Sequence, residues 1–273
     1  MLISCELSDR NFKRFSQMVF QNCGINLHNG KKELVRSRLG KRLRATGCRN
    51  FNTYFNLLNE DASGRELLHF LDAISTNETS FFREEKHFEL LKEKVFPRLK
   101  AVCSQRLRFW SAGCSSGEEP YSLAMWLLEY FRGIESWDVK ILATDISTKV
   151  LAQAINGIYP KNRLFKIPKH QIRKYFQLGF GSQEGYFKVK QLLKAMVVFK
   201  RQNLMEPFGC GDTFDLIFCR NVMIYFTKET RQDLINKFYS CLKSGGYLLI
   251  GHAESLNGMN HGFKYIQPSV YQK

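Results

Sequence analysis

The 273-residue chain shows neither a membrane-spanning apolar run nor a secretory signal. No apolar run approaches the roughly 18 residues that a spanning helix needs. The opening MLISCELSDRNF carries acids and no long apolar core, which excludes a secretory signal. Together these absences predict a cytoplasmic protein with no direct membrane insertion. There is no C-x-x-C and no tight Cys/His cluster: the eight cysteines at 5, 23, 48, 103, 114, 210, 219 and 241 are scattered. Such scatter reads as buried thiols in a reducing compartment, not a disulfide frame or a zinc site, and no metal is expected. No G-x-x-x-x-G-K-[ST] is present, so a phosphate-gripping P-loop is excluded. Acids are scarce too. The 25 Asp and Glu against 41 Lys and Arg leave a net charge of +16, which calls for an acidic partner. No internal repeat or low-complexity segment appears.

What is present is organised around RFWSAGCSSGEEPY, residues 108–121. An apolar run (Leu107, Phe109, Trp110) stops at small residues, and a turn at Cys114–Gly117 leads to Glu118-Glu119-Pro120 and an amphipathic run to Phe131. This pattern predicts strand, glycine turn and helix, with Pro and acids in the first turn where unpaired N–H groups favour them. Such a unit at the start of an α/β fold is where nucleotide-like ligands are held.

Residues 1–75 are predicted to form a helical domain. Ser8 caps a helix carrying Phe12, Phe15, Met18 and Val19, which ends near Gly24. A second helix holds Leu34, Val35, Leu39 and Leu43 until Gly47, and its other faces carry Lys31, Lys32, Arg36, Arg38, Lys41, Arg42 and Arg44 against Glu33. So one-sided a face predicts a docking surface. Shorter helices follow around Tyr54–Leu58 and Glu66–Ile74. The segment Ser75–Glu84 lacks periodicity and suits an ordered linker, with Phe81 and Phe82 as core anchors and Asn77, Thr79 and Arg83 hard to explain as packing. Residues 76–273 then form an α/β domain: a helix at Lys86–Leu99, strands at Val139–Thr144, Val197–Lys200, Phe214–Cys219 and Tyr247–Ile250, and a helix at Lys228–Leu242 stopped by Gly245-Gly246. Antiparallel strands around Pro268 close the sheet. Residues 160–195 interrupt the alternation, and their extended runs predict a small β-hairpin insert, a recognition piece.

The polar positions Gly113, Glu119, Asp145, Asn203, Arg220, Asn221 and Tyr225 fall at or just beyond the C-terminal ends of predicted parallel strands, the binding rim of an open α/β sheet. Asp145 ends the second strand, where ribose hydroxyls are commonly held; capping the next helix is its plainer role. Glu118 and Glu119 would repel a pyrophosphate but suit a cationic ligand. S-adenosylmethionine fits this pattern better than NAD does.

At this point TNETSFFRE, WSAGCSSGEEPYSLA, ATDIS, FCRNVMIYF and GHAES resemble, over nearly the whole chain, the motif set of the chemotaxis receptor methyltransferases. These are the CheR family of S-adenosylmethionine-dependent protein-glutamate O-methyltransferases. The resemblance implies a Rossmann-like methyltransferase domain with an inserted antiparallel β-subdomain of three strands, preceded by an all-α domain. It implies that Asn77, Thr79, Arg83, Gly113, Glu119, Asp145, Asn203, Leu204, Arg220 and Asn221 line the cofactor, with Arg83 and Tyr225 nearest the transferred methyl. The basic helix, Lys31 to Arg44, would face the acidic methylation helices of the receptor, and the loop Leu178–Ser182 would hold a receptor C-terminal peptide. Gly113-Cys114 departs from the small alanines common there. A monomer that binds no nucleic acid is expected. The competing readings are a basic RNA methyltransferase, for which no RNA-binding module is visible, and a non-catalytic S-adenosylmethionine sensor. No Ser-His-Asp or Cys-His arrangement is found, and none is required, because a glutamate with a pKa of about 4.3 is already ionised at neutral pH.

Overall fold

The computed structural model describes residues 6–102, 105–131, 133–208 and 213–273. The N-terminal unit packs α1 (Asp9–Cys23), α2 (Lys32–Thr46), α3 (Phe51–Glu60) and α4 (Arg65–Ile74) around Phe12, Phe15, Leu39, Tyr54 and Phe70. Its punctuation is local. Ser8 Oγ accepts from Asn11 N, Gly24 closes α1 at φ 71°, and Asn50 and Thr53 form a reciprocal capping box on α3.

The linker 75–84 follows as irregular chain, with Phe81 and Phe82 buried as expected. The helix predicted at 86–99 is three pieces, α5 (Glu85–Leu90), a π segment (Leu91–Val95) and α6 (Phe96–Val102). Then come β1 (Arg106–Ala112), α7 (Glu118–Tyr130), β2 (Asp138–Asp145) and α8 (Thr148–Asn156). α7 departs from the expected amphipathic pattern: Glu118 through Met125 are all buried, because the helix enters the fold beneath both the linker and the insert.

The insert is a three-stranded antiparallel sheet, not a hairpin. β3 (Ile158–Pro160) pairs with β5 (Tyr186–Val189), which pairs with β4 (Phe176–Leu178), and α9 (Lys169–Tyr175) lies between β3 and β4. β3 is too short to give a periodicity in sequence. The chain continues through α10 (Gln191–Lys194), β6 (Val197–Arg201), β7 (Phe214–Cys219), α11 (Lys228–Cys241), β8 (Leu242–Ile250), β9 (Lys264–Gln267) and β10 (Val270–Gln272). β8 begins directly after α11, so Gly245-Gly246 lie inside a strand that shifts register against β7, and do not form a free turn.

The main sheet has the order β6-β2-β1-β7-β8-β10-β9, with β6, β2, β1, β7 and β8 parallel and β10 and β9 antiparallel. All six residues of β7 are buried, as a central parallel strand requires. Its Asp215 is satisfied by Arg108 N at 2.8 Å and Lys243 Nζ at 2.8 Å. From β1 the chain winds outward to β2 and β6, then crosses back to β7 and β8. The strand order therefore reverses between β1 and β7, and a crevice opens there at their C-terminal ends. Cys23, Cys48, Cys114 and Cys219 are free thiols as expected, and Cys241 is disulfide-bonded, a pairing that spacing along the chain does not disclose. The other cysteines of the scatter, Cys5, Cys103 and Cys210, lie outside the described residues.

Candidate active site

A cavity of about 300 Å³ occupies that crevice, and its lining contains Asn77, Thr79, Arg83, Gly113, Glu119, Asp145, Asn203, Leu204, Arg220, Asn221 and Tyr225. Every residue that the resemblance assigned to the cofactor or to the methyl thus reaches one space. Glu118 does not line it. Its carboxylate turns to Ser116 Oγ at 2.7 Å and Arg163 at 3.5 Å, so only one of the two adjacent acids faces a ligand.

The turn after β1 explains the departure at Gly113. This residue has φ +79°, and a Cβ there would stand 2.5 Å from Val222 Cγ2. Only glycine lets the strand end approach the loop after β7 so closely. Gly113 N and Cys114 N both donate to Thr144 O, locking the turn to the end of β2.

Glu119 and Arg220 form the polar floor. Glu119 Oε2 accepts from Arg220 Nε at 2.7 Å and its Oε1 accepts from Ser111 Oγ at 2.6 Å. Arg220 extends the chain by donating from Nη1 to Arg83 O at 2.6 Å, and it lies over the Phe218 ring at 5.0 Å. Asp145 accepts from Ser115 N at 2.8 Å and Ser147 N at 2.9 Å, and burial pushes its carboxyl up from the ordinary range. Ser147 itself caps α8. Each carboxylate has about four acceptor positions, so both Glu119 and Asp145 keep capacity for a ligand. Asn221 adds a buried Oδ1 with no partner among the described residues.

The opposite wall was not legible. Cys23, Ile25, Asn26, Leu27, His28, Lys31 and Leu34, from the N-terminal unit, line the same cavity. They are held there by Ile25 bridging Phe226, Asn26 N donating to Tyr225 O at 2.8 Å, and Asn203 Nδ2 donating to Asn22 O at 2.6 Å. No local pattern marks them as cavity lining (Lys31 and Leu34 read as parts of the basic helix), because the contact joins segments some two hundred positions apart. Behind Arg220 sits His87, whose pKa burial lowers to about 3, with the Arg220 charge adding to the shift. Glu84, His87 and His252 are the group among the described residues close enough to share a metal ion. Arg220 stands 3.5 Å from Glu84 Oε2 and 3.3 Å from His87 Nδ1, and that cation opposes a second positive charge.

The basic helix is less one-sided than its sequence suggests. Arg42 forms a fork to Glu66 at 3.0 and 2.6 Å, Lys32 pairs with Asp9 and Arg36 with Glu33. Arg38 is turned inward, onto the carbonyls of Ile74 and Ser75 and onto Thr76 Oγ1. Among the described residues Lys31, Lys41 and Arg44 keep no such partner, and Lys31 lines the cavity, so the outward surface left is mainly Lys41 and Arg44. No helix of the described residues is long and apolar enough to cross a membrane.

The family described as "CheR methyltransferase, SAM binding domain" matches residues 77–272, and "CheR methyltransferase, all-alpha domain" matches residues 10–75. A chemotaxis protein methyltransferase of Borreliella burgdorferi is 48% identical over 99% of this chain and 96% of its own. One from Escherichia coli is 40% identical over 97% of this chain and 91% of its own. Among solved structures, an amino pentose methyltransferase from Micromonospora echinaspora aligns with a TM-score of 0.33 at 16% identity, covering 64% of this chain and 58% of that one. The class is therefore that of the S-adenosylmethionine-dependent methyltransferases, with S-adenosylmethionine as cofactor. Within it, the chain belongs to the CheR methyltransferase family.

Proposed function

We propose that this chain methylates glutamate side chains of chemotaxis receptors, producing γ-methyl esters. The observation that carries the reading is the convergence of Asn77, Arg83, Gly113, Glu119, Asp145, Arg220, Asn221 and Tyr225 on a single cavity at the sheet's switch point. When bound, S-adenosylmethionine would supply an electrophilic sulfonium methyl: the carboxylate oxygen bonds to it as the methyl–sulfur bond breaks, leaving S-adenosylhomocysteine and the ester.

The residues fit that cofactor. Glu119 offers an anionic acceptor to an amino group, and Asp145 offers free lone pairs to vicinal hydroxyls. Gly113 brings backbone to the ligand without a Cβ, and Leu204 and Ile146 supply apolar wall. Asn77, Thr79 and Asn203 complete the lining. Arg83 and Tyr225 are the residues assigned to the methyl end: they orient the incoming carboxylate and exclude water from it. Arg83 Nη1 is itself held by Glu78 O at 2.8 Å, which tempers its pairing with the nucleophile. No proton needs to move, since the carboxylate arrives ionised.

Docking is assigned to the outward cations of α2, with Lys41 and Arg44 meeting acidic receptor helices. A groove of about 310 Å³ on the β-subdomain, lined by Leu178, Gly179, Phe180 and Tyr186, is assigned to a receptor C-terminal peptide. Incubation with methyl-labelled S-adenosylmethionine and receptor-containing membranes tests the whole reading. Base-labile label on receptors supports it; cofactor binding with no transfer to any acidic substrate removes it.

A further inference from the structure

The GHAES motif after β8 places no side chain in the cavity, yet Glu254 is drawn into the backbone beside it. Its Oε2 accepts from Asn221 N at 3.0 Å and Gly251 N at 2.6 Å, and its Oε1 accepts from Ile224 N at 3.1 Å. Gly251 N and Asn221 N belong to irregular chain and Ile224 N to the start of a short 3₁₀ turn, and the loop after β7 has no ladder of its own to satisfy them. Gly251 makes the approach feasible: a Cβ there would lie 2.6 Å from Asn221 Nδ2 and 2.9 Å from Glu254 Oε2. From the other side Glu84 Oε1 accepts from Asn221 Nδ2 at 3.4 Å and from His252 N at 3.1 Å. Two carboxylates therefore grip one residue.

That residue sits in an unusual backbone region. Asn221 has φ +58° and Glu84 φ +57°, left-handed conformations that asparagine tolerates better than most residues and that glutamate keeps only when its surroundings impose them. Downstream of Asn221 the chain runs through a single 3₁₀ turn, Met223–Tyr225, to the tyrosine that lines the cavity. So short a path transmits a backbone rotation at Asn221 directly to the Tyr225 ring.

We propose that Glu254 is a positioning residue for methyl transfer. Its carboxylate holds the 221–225 loop in the one backbone geometry that presents Asn221 and Tyr225 to the cavity together. It acts through the loop and not on the substrate, since it lies outside the cavity lining. The proposal rests on the assignment of Tyr225 to the methyl end, and the test separates the two.

Glu254→Gln keeps an acceptor for Gly251 and Asn221 but sets an amide N–H₂ against Ile224 N. Hydrogen exchange of segment 221–225 is expected to accelerate in this variant while the strands keep their protection. Turnover is expected to fall about tenfold, the scale of one hydrogen bond to a charged group. In a Tyr225→Phe background the same substitution is expected to cost less than about threefold, because coupled residues are non-additive. Glu254→Asp, which keeps charge but shortens reach, serves if the glutamine variant folds poorly, and is expected to lie between the two. Unchanged exchange in the loop, or equal losses in both backgrounds, overturns the proposal. Full activity of Tyr225→Phe alone overturns the role of the tyrosine instead, and loop exchange then decides the role of Glu254 by itself.

Discussion

The two walls of the cavity are built differently. One is the rim of β1, β2 and β7: Gly113 and Arg220 directly follow β1 and β7, Asp145 ends β2 and Glu119 stands in the first turn of α7, above strands in parallel register from Arg106↔Asp138 to Ala112↔Thr144. The other is the N-terminal unit and the linker, which reach the cavity through single polar links: Ser115 Oγ to Asn77 O, Arg163 to Thr79 O, Arg38 to the carbonyls at Ile74 and Ser75. The first wall is pre-organised by a ladder of backbone bonds. The second is stitched. Damage to the first should cost both stability and cofactor affinity, and damage to the second should cost closure over the ligand while leaving the fold intact.

The sharpest break of the first wall is Glu119→Ala. It leaves Arg220, whose side chain is 2% exposed, with only the longer contact to Glu84 at 3.5 Å for its charge. Removing one partner of a buried pair costs about 3–5 kcal/mol. Denaturant unfolding should register a loss of that order, and calorimetry should detect no cofactor binding. Retention of near-normal affinity would show that Glu119 serves the fold alone.

Acid attacks the same wall one layer deeper, and with smaller effect, because Glu84 stands 3.4 Å from His87 to meet a new charge. The folded pKa of His87 is lowered to about 3 from an ordinary 6.5. Between those values the unfolded chain binds the proton and the folded chain does not, so His87 contributes stability above pH about 6.5 that is lost as pH falls toward 3. An acid titration of stability should therefore be flatter in His87→Gln. Superimposable curves would mean that another group carries the acid sensitivity.

Gly113→Ala is next. A methyl group must enter at φ +79°, where a left-handed Cβ costs about 1–2 kcal/mol, and it meets Val222. Cofactor affinity should fall about tenfold by the same arithmetic. Relief in Gly113→Ala/Val222→Ala would identify the clash as the cause.

The contrast between the walls also explains what could be read from the chain. Strand, turn and helix around Gly113, and the acid at Asp145, announce themselves within ten or so residues, since a parallel sheet fixes its rim by local periodicity. The linker positions Asn77, Thr79 and Arg83 stood out in sequence only as hard to explain by packing, and their role was legible only through likeness to a family, because irregular chain has no period. That the segment 23–34 lines the cavity was not legible. Its place in the lining depends on Asn203 reaching Asn22 and on Tyr225 O meeting Asn26 N, contacts that exist only after the two units pack. Composition misled in one respect as well: seven cations from Lys31 to Arg44 looked like a single surface, and folding turned Arg38 and Arg42 inward.

Arg38 therefore separates the two walls directly. Arg38→Ala removes the links to Ser75 O and Thr76 Oγ1 at 3.1 Å each, together with that to Ile74 O, while every strand-end residue keeps its partners. Stability should fall by about 1 kcal/mol, and KM for the cofactor should rise more than kcat falls, because an unstitched linker reopens the site without altering its floor. An equal loss in both parameters would mean that the linker takes part in the chemical step.

The smallest effect belongs to the outer surface. Lys41 and Arg44 have no partner among the described residues, and surface changes of this kind stay within about 0.5 kcal/mol of neutral for stability. Reversing both, Lys41→Glu with Arg44→Glu, should leave the thermal midpoint and cofactor affinity where they are. KM for receptor should rise severalfold at low salt, with the difference shrinking as ionic strength increases, since screening removes what exposed charges contribute. Under the docking assignment the effect must carry that salt dependence. A salt-independent rise in KM would point to contact geometry rather than charge, and no rise at all would move docking off α2 and onto the β-subdomain groove.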